Sequence, residues 1–412
     1  MTQVINYTRT KTACYLTYPS MACVFSLPPI LFVTFRDMYG ISYTLLGTLV
    51  LINFFTQLTI DLIFTMFSKH FNIHRTLTVM PLLTSLGLLL YALIPSLFPQ
   101  QAYLGLVIGT IVFSVAAGLC EVLLSPVVAA IPSEHIDKDL SMLHSLYAWG
   151  VFGIVIISTI FLNIFGREKW MYLTIFLAVF PLIVSYLFAT SPVPEMNFSQ
   201  EQNEKGIKNR NFGLALCVIC IFLGSCAENT MSNWISGFME TALLIPKTVG
   251  DIFGMALFAL LLGLTRMWYA KRGRDITNFL LGSMLGAMVC YVTAGLCRNV
   301  IISFIACVLT GCFTSMLWPG TLILMEEKMP KLGVAAYALM ATGGDFGASV
   351  APQLMGIVVD KVSVSSWATQ LGTTMSLSPE QLGMKVGMLT ASVFPLLGIV
   401  ILLYIKRYFA KR

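Results

Sequence analysis

Long apolar runs, separated by short polar breaks, extend along almost the whole chain. A helix needs about 20 apolar residues to cross the hydrocarbon core of a membrane, and the runs recur at about that length. They do not alternate apolar and polar positions, as the strands of a transmembrane β-barrel do. The pattern therefore predicts an all-α membrane protein with twelve spans. The predicted spans are Cys14–Arg36, Ser42–Phe67, Thr76–Phe98, Ala102–Ile131, Met142–Phe165, Trp170–Thr190, Phe212–Met239, Thr248–Ala270, Thr277–Cys297, Val300–Met325, Val334–Asp360 and Met384–Tyr404.

A long polar segment, 191–211, separates the sixth predicted span from the seventh. It is rich in Pro, Asn, Gln and charged residues, a composition typical of a linker. The chain is therefore predicted to have an N-terminal six-helix half (1–190), a linker (191–211) and a C-terminal six-helix half (212–412). A second long segment, Lys361–Gly383, is predicted to be a loop on the opposite side of the membrane, and its role is open.

Two short sequence matches link the predicted halves. The segments GLCEVLLSP, from Gly118, and GCFTSMLWP, from Gly311, start 193 residues apart. GVFG, from Gly150, and GDFG, from Gly344, start 194 residues apart. Two matches at nearly the same offset indicate that the halves are duplicated copies of one unit.

The composition agrees with a protein that lies in a bilayer. Of the 412 residues, 57% are hydrophobic and 11% are charged, and the mean hydropathy is +0.83, well outside the range of soluble domains. The first apolar run lacks a small-residue cleavage site, so it is expected to remain as the first span. The ten cysteines lie in or at the ends of spans, which favours neither disulfides nor a metal centre. No cofactor is expected.

The basic residues are distributed unevenly. With the N-terminus inside, about 18 Lys and Arg residues fall on or near the cytoplasmic side and about 7 fall outside. This bias predicts that both termini and the linker are cytoplasmic. It also accounts for the net charge of +6 without a nucleic-acid partner.

Four acidic side chains stand out inside the predicted spans: Asp61, Glu121, Glu228 and Asp345. Arg266 is the one cation that is clearly within a span. A charged side chain at the centre of a bilayer costs roughly 3 kcal/mol on insertion scales. Such residues are therefore expected to face a cavity or a partner, and they are the first candidates for a functional site.

Helical spacing places polar neighbours beside these acids, because residues four apart share a helix face. Ser125 shares a face with Glu121, and Gln57 shares one with Asp61. Asn229 and Asn233 lie on the same broad polar arc as Glu228.

Several alternatives remain open for these residues. Asp61 could pair only with loop or helix-11 groups, and Asp345 could simply pair with Arg266. Trp318 could stack on a sugar ring, face lipid or pack against neighbouring helices.

The twelve spans in two halves, joined by a central linker, resemble the major facilitator superfamily along the whole chain. GLCEVLLSPVVAAIPSE resembles the helix-4 motif of its fucose permease group, and SMLWPGTLILMEE and GGDFGASVAPQLMGIVVD resemble that group's helices 10 and 11. The resemblance implies that Glu121 is the membrane glutamate of that group, which is implicated in proton and sugar handling. Ser125 replaces the group's asparagine, and Pro28 and Pro29 lie where the group has an essential aspartate.

The superfamily also has a loop signature, G-x-x-x-D-R-x-G-R. Its second-half copy is similar to Ala270–Arg274, with alanine at the aspartate position. The resemblance implies a gating role for Lys271 and Arg274, and Arg266 is expected to be a gating or structural charge.

These features predict a secondary active transporter that moves a small polar solute such as a sugar by alternating access, with proton coupling. Glu121, Ser125, Gln57, Glu228, Asn229, Asn233 and Trp318 are the predicted substrate-binding residues. Glu121, Glu228, Asp345 and Asp61 are the predicted proton-coupling residues. The alternative is a proton-driven exporter of hydrophobic or cationic compounds.

An enzyme is not expected, because the sequence has no HExxH, GxSxG or P-loop motif. The expected partners are the solute, protons and the lipid bilayer. The chain is expected to act as a monomer in a bacterial cytoplasmic membrane.

Overall fold

The computed structural model describes residues 6–67, 70–133, 136–194, 211–273, 275–329 and 334–410. Within these ranges the regular structure is helical, with twelve long helices, one short α-helix, α12, and two single-turn 3-10 helices, Pro99–Gln101 and Arg167–Lys169. The helices are α1 (Thr8–Tyr39), α2 (Tyr43–Phe67), α3 (Ile73–Leu97), α4 (Ala102–Ala130), α5 (Ile136–Phe165), α6 (Trp170–Ala189), α7 (Asn211–Thr241), α8 (Lys247–Arg272), α9 (Ile276–Leu296), α10 (Val300–Lys328), α11 (Val334–Ser363), α12 (Ser366–Met375) and α13 (Pro379–Ala410).

The long helices match the predicted spans in number and order. Eleven of those described are long and apolar enough to cross a membrane by length and composition. The twelfth, α11, has 30 residues, about 45 Å at 1.5 Å per residue, but it includes the less apolar stretch GGDFGASVAPQ. The predicted all-α fold of twelve spans is confirmed. Most of the predicted linker lies outside the described residues.

The prediction of an uninterrupted loop at 361–383 was wrong. α11 continues to Ser363, a short helix follows, and α13 begins at Pro379 rather than at Met384. The early start of α13 has a local cause, because Ser378 and Gln381 form a reciprocal capping box and Pro379 occupies the first helical turn.

The chain divides into two compact units. The first contains Met1–Gly40 and Ile52–Glu201, and the second contains Ile41–Leu51 and Gln202–Arg412. The beginning of α2 therefore belongs to the second unit, while the rest of that helix belongs to the first.

The first turns of α2 are held in the second unit by Asp360 of α11. One carboxylate oxygen of Asp360 accepts a hydrogen bond from the Tyr43 amide at 3.1 Å, and the other accepts one from the Thr44 amide at 2.6 Å. The first amides of a helix have no partner within the helix, and a carboxylate there also complements the helix dipole. Gly356 brings the α11 backbone against Tyr43, so close that an added Cβ would overlap the Tyr43 carbonyl oxygen.

The glycines of the longer sequence match have equivalent packing roles in the two units. A Cβ on Gly118 of α4 would lie 2.9 Å from the Gln57 carbonyl oxygen of α2. A Cβ on Gly311 of α10 would lie even closer to the Phe258 carbonyl oxygen of α8. Each glycine thus lets the fourth helix of its half approach the second. Superposition of the halves at these glycines stays a prediction.

The matched glycines of the shorter match, Gly150 and Gly344, do not have equivalent packing contacts. Gly150 of α5 packs on α1, with an added Cβ 2.7 Å from the α-carbon of Pro19. Gly344 faces the Trp318 ring instead. Gly343, which is 193 residues after Gly150, is the residue that packs on α7, where an added Cβ would lie 2.8 Å from a Val218 methyl group.

Candidate functional site

Two predicted acids meet in the first unit, and we call them the acid pair. Asp61 of α2 and Glu121 of α4 have carboxylate oxygens within 4.8 Å of each other. Glu121 is exposed and Asp61 is half-buried. Among the residues that the structure describes, the buried Oδ1 of Asp61 has no hydrogen-bond partner, and neither acid forms one of the described ion pairs.

The close approach of α4 to α2 creates the acid pair. At Gly118, one turn before Glu121, an added Cβ would lie 3.0 Å from Asp61 Oδ1. A hydrogen-bond network holds the same two helices together one to two turns further along. The side-chain oxygen of Asn53 accepts hydrogen bonds from Gln57 Nε2 at 2.8 Å and from Ser114 Oγ at 2.7 Å.

All three residues of that network are buried, including the predicted substrate ligand Gln57, which is 2% exposed. A buried amide that already donates a hydrogen bond contributes to helix packing as well as to any binding role. The polar face of α2 is therefore divided, because Asn53, which Gln57 of the same helix also contacts, bonds to Ser114 of α4, while Asp61 lies against Glu121.

Ser125 has a partner that the sequence reasoning missed. Its side chain forms a hydrogen bond with the Tyr18 hydroxyl of α1, and Tyr18 also interacts electrostatically with Glu121. A tyrosine within an apolar span usually has a partner for its hydroxyl, and Tyr18 could have been found on this ground. α1, α2 and α4 therefore all contribute to the surroundings of the acid pair.

In the second unit, Glu228 has a basic partner, whereas neither acid of the acid pair forms a described ion pair. Arg266 of α8 forms an ion pair with Glu228 of α7, with 3.2 Å between Nη2 and Oε1. Arg266 Nε also donates a hydrogen bond to the Ser315 carbonyl oxygen at 2.8 Å. That carbonyl lies at an interruption of α10, and the residue four positions later, Pro319, has no N–H to donate to it. The proline thus frees the acceptor that orients Arg266.

The ion pair is accessible from one side. A cavity of about 520 Å³ is lined by Arg266 together with residues of α8, α9 and α10, among them Tyr269, Pro319 and Glu327. The Arg266 side chain is 39% exposed and that of Glu228 is 18% exposed. Water can therefore reach the cation of the pair more easily than the anion.

The predicted amides of α7 bond mainly along their own helix. Asn229 Nδ2 donates to the Ser225 carbonyl and hydroxyl oxygens at 3.2 and 3.1 Å, and Asn233 Nδ2 donates to the Asn229 carbonyl oxygen at 2.8 Å. Asn229 is partly exposed and Asn233 is 8% exposed. The arrangement orients both side chains on the face that carries Glu228.

Asp345 and Trp318 are two further predicted site residues in the second unit. Asp345 is 5% exposed, and the neighbouring Gly344 is covered by the Trp318 ring. The ring also packs on a core cluster that includes Met325 and Met340, which favours the packing interpretation of Trp318. The described ion pair of Arg266 is with Glu228, not with Asp345.

The predicted gating residues lie at or beyond the end of α8. Lys271 is exposed in its last turn, and Arg274 lies outside the described residues.

A buried ion cluster in the second unit was missed by the sequence reasoning. Lys247 Nζ, at the start of α8, lies 3.3 Å from Asp251 Oδ2 and 3.8 Å from Glu240 Oε2. Ser236 donates to Asp251 Oδ1 at 2.5 Å and accepts from Lys247 at 3.0 Å. Asp251 is 1% exposed and lies in a π-helical segment, Gly250–Ala256. A signal was available, because Glu228, Ser232, Ser236 and Glu240 follow one another at four-residue intervals on α7.

The sequence profile described as Major Facilitator Superfamily matches residues 15–352. The chain belongs to that superfamily. Its members are transporters, which confirms the fold and the non-enzymatic class. Among curated proteins, none matches the chain by sequence.

Solved transporters of this superfamily have a similar fold. A bacterial homologue of the human lysosomal transporter Spinster has a TM-score of 0.76 at 12% identity, covering 98% of this chain and 97% of the other. A D-xylose–proton symporter has a TM-score of 0.73 at 16% identity, covering 95% and 97%. The Escherichia coli fucose:proton symporter has a TM-score of 0.57 at 13% identity, covering 95% and 99%. At these identities the likeness shows the fold, and the fucose permease group is one of several similar structures.

Proposed function

We propose that this superfamily member is a proton-coupled secondary active transporter that moves a small polar solute, such as a sugar, by alternating access. The observation that carries the proposal is the acid pair. Two ionised carboxylates with oxygens within 4.8 Å of each other repel strongly in a low-dielectric setting, and a bound proton removes that repulsion. The acid pair can therefore hold a proton, and Glu121 can release it where water enters.

The groups around the acid pair suit a neutral polar solute. Hydroxyls and amides offer both donors and acceptors, as sugar recognition requires. Ser125 and Tyr18 supply such hydroxyls beside the acid pair, within the first unit. Similarity to sugar–proton symporters of known structure makes sugars the first class to test.

The remaining assignments belong to the same proposal. Glu228 and Asp345 are further proton-coupling candidates, and Arg266, Lys271 and Arg274 are candidates for gating. The basic-residue bias supports cytoplasmic termini. An exporter of cationic compounds is the competing function, because the exposed carboxylate of Glu121 could serve as a counter-charge.

The experiment is transport in proteoliposomes of the purified chain under an imposed pH gradient. Neutral sugars, nucleosides and organic cations are tested in parallel, and a sodium gradient replaces the pH gradient in a second series. We expect a neutral sugar to accumulate only with the pH gradient. Accumulation of cations alone would favour the exporter, and dependence on sodium alone would contradict proton coupling.

Glu121→Gln is the informative variant, because it keeps the shape of the side chain and removes its titration. Gradient-driven accumulation should disappear while exchange of solute across the membrane continues. Glu168→Gln is the matched control, since Glu168 is an exposed acid in the turn before α6. Normal accumulation by Glu121→Gln would show that this acid does not couple transport to protons.

A further inference from the structure

The short helix α12 has two edges of opposite character. Its inner face is docked, because Ala368 packs into a buried cluster with Val362 of α11 and Leu382 of α13. On one side of that face, Trp367 and Leu371 are 48% and 40% exposed and lie one turn apart. On the other side, Thr369 and Thr373 are exposed together with Ser366, while Gln370 and Thr374 are exposed on the outer face between the two edges.

The position of α12 along the chain limits its distance from the bilayer. Two residues separate it from the end of α11, and three separate it from Pro379, the first residue of a candidate membrane span. A linking residue spans at most about 3.5 Å. Both ends of α12 therefore stay within about 10–14 Å of the ends of two long helices, at the level where a membrane meets water.

The segment is also free of charge. Between Lys361 and Glu380 the sequence has no Asp, Glu, Lys or Arg. A loop that is surrounded by water has no need of exposed tryptophan, leucine or valine side chains. Here Trp367 and Leu371 are exposed, and Val364, just before the helix, is 87% exposed. Tryptophan is enriched at membrane interfaces because its ring is apolar and its N–H can remain hydrated.

We propose that α12 is an interfacial helix whose Trp367–Leu371 edge inserts among the lipids of the leaflet opposite the C-terminus, while its Thr369–Thr373 edge faces water. The partner is a phospholipid surface. Because the segment is uncharged, binding depends on apolar burial rather than on attraction to anionic headgroups. The proposal is independent of the transported solute.

The test measures the depth of spin labels on α12 in nanodiscs of zwitterionic phosphatidylcholine. Leu371→Cys and Thr373→Cys are labelled separately, and the wild-type chain labelled in parallel gives the background from native cysteines. Oxygen partitions into lipid, whereas a neutral nickel chelate stays in water. We expect the label at 371 to collide more with oxygen and the label at 373 to collide more with the chelate.

Two outcomes would overturn the proposal. Equal chelate access at the two positions would place both edges in water, and shielding of position 371 from both reagents would mean that a protein surface, such as a second copy, covers it. A second variant, Trp367→Phe, tests insertion without relying on the folding of the cysteine variants. In bilayers with lipids brominated near the headgroup, Trp367→Phe should remove part of the quenchable tryptophan fluorescence, and an unchanged quenched fraction would contradict insertion.

The composition of the bilayer provides one further check. Replacing part of the phosphatidylcholine with an anionic phospholipid should leave the oxygen preference at position 371 unchanged, because the segment carries no charge. A preference that appears only with anionic lipid would contradict insertion by apolar burial.

Discussion

In the first unit, Asp61 and Glu121 lie side by side, whereas in the second unit Glu228 is paired with Arg266. The same close approach of a fourth helix to a second, through Gly118 or Gly311, accompanies both arrangements. The two settings differ in their electrostatics, because an acid with an arginine partner is compensated without any ligand, while two adjacent acids need a proton or another cation. A common helical framework can therefore place a site that requires a ligand in one unit and a self-compensated site in the other.

The strongest test compares Glu121→Gln with Glu228→Gln. Removing the charge of Glu121 should reduce gradient-driven accumulation at least tenfold, equivalent to about 1.4 kcal/mol, because the acid pair loses its titration. Glu228→Gln should reduce it less, because Arg266 retains its bond to the Ser315 carbonyl. Initial rates of uptake under a pH gradient measure both. Equal losses would remove the distinction between the units.

Arg266→Gln removes the cation that is paired with Glu228. It leaves Glu228 without its cation, and we expect the free energy of unfolding to fall by about 1–3 kcal/mol, less than for a sealed pair because Arg266 is 39% exposed. Thermal unfolding in detergent measures the loss. The double variant Glu228→Gln with Arg266→Gln should recover part of it, and a double variant as unstable as the sum of the singles would show that the two side chains are not coupled.

Alanine at the two packing glycines compares the helix contacts themselves. Gly311→Ala should be more destabilising than Gly118→Ala, because its new methyl group lies closer to a backbone oxygen, and overpacking typically costs about 1–3 kcal/mol. Gly282→Ala is the control, since nothing lies within 4 Å of an added Cβ there and the helix should gain about 1 kcal/mol. The melting temperatures of the three variants test this order.

The smallest effect is expected outside the spans, where the first unit does pair an acid with a base. Lys11 Nζ lies 2.5 Å from Asp139 Oδ1. The hydrogen bond that Lys11 donates holds the pKa of Asp139 below its usual value. A lowered pKa adds stability above the unfolded-state value of about 3.9, and that contribution is lost as the pH falls through the folded-state pKa. Asp139→Asn should therefore lower the melting temperature at pH 7, and this loss should shrink as the pH is lowered toward the folded-state pKa. Asp37→Asn, at an exposed acid, is the control for removing one surface carboxylate.

The twelve spans could be predicted from the sequence because the thickness of a bilayer sets the length of an apolar helix. The acid pair was partly predictable. Helical spacing identified the polar faces that carry Asp61 and Glu121, and the glycine that brings these faces together was singled out by the repeat. That the two carboxylates meet depends on the rotation and approach of α2 and α4, which the sequence of either helix alone does not determine.

Other features escaped prediction for particular reasons. Arg266 contacts Glu228 and also the Ser315 carbonyl, which lies at an interruption of α10. Pro319 predicts that interruption from the sequence, but it does not predict that Arg266 bonds there. Lys247 lies at a span end, where a charge is usually hydrated, yet it is 8% exposed beside Asp251. The serine- and threonine-rich α12 lacks the apolar length of a span, so hydropathy could not reveal it.

The contact between Asp360 and the start of α2 has a consequence for dividing the gene. A cut in the linker separates two polypeptides of six spans each, but residues 41–51 remain on the first polypeptide while Asp360, Gly356 and Trp234 are on the second. The first polypeptide alone would expose the Tyr43 ring, which packs on Trp234, and would leave the leading amides of α2 without their carboxylate. We expect the two polypeptides to be stable only when they are produced together. The start of α2, which is part of the first polypeptide, then packs against its partners on the second.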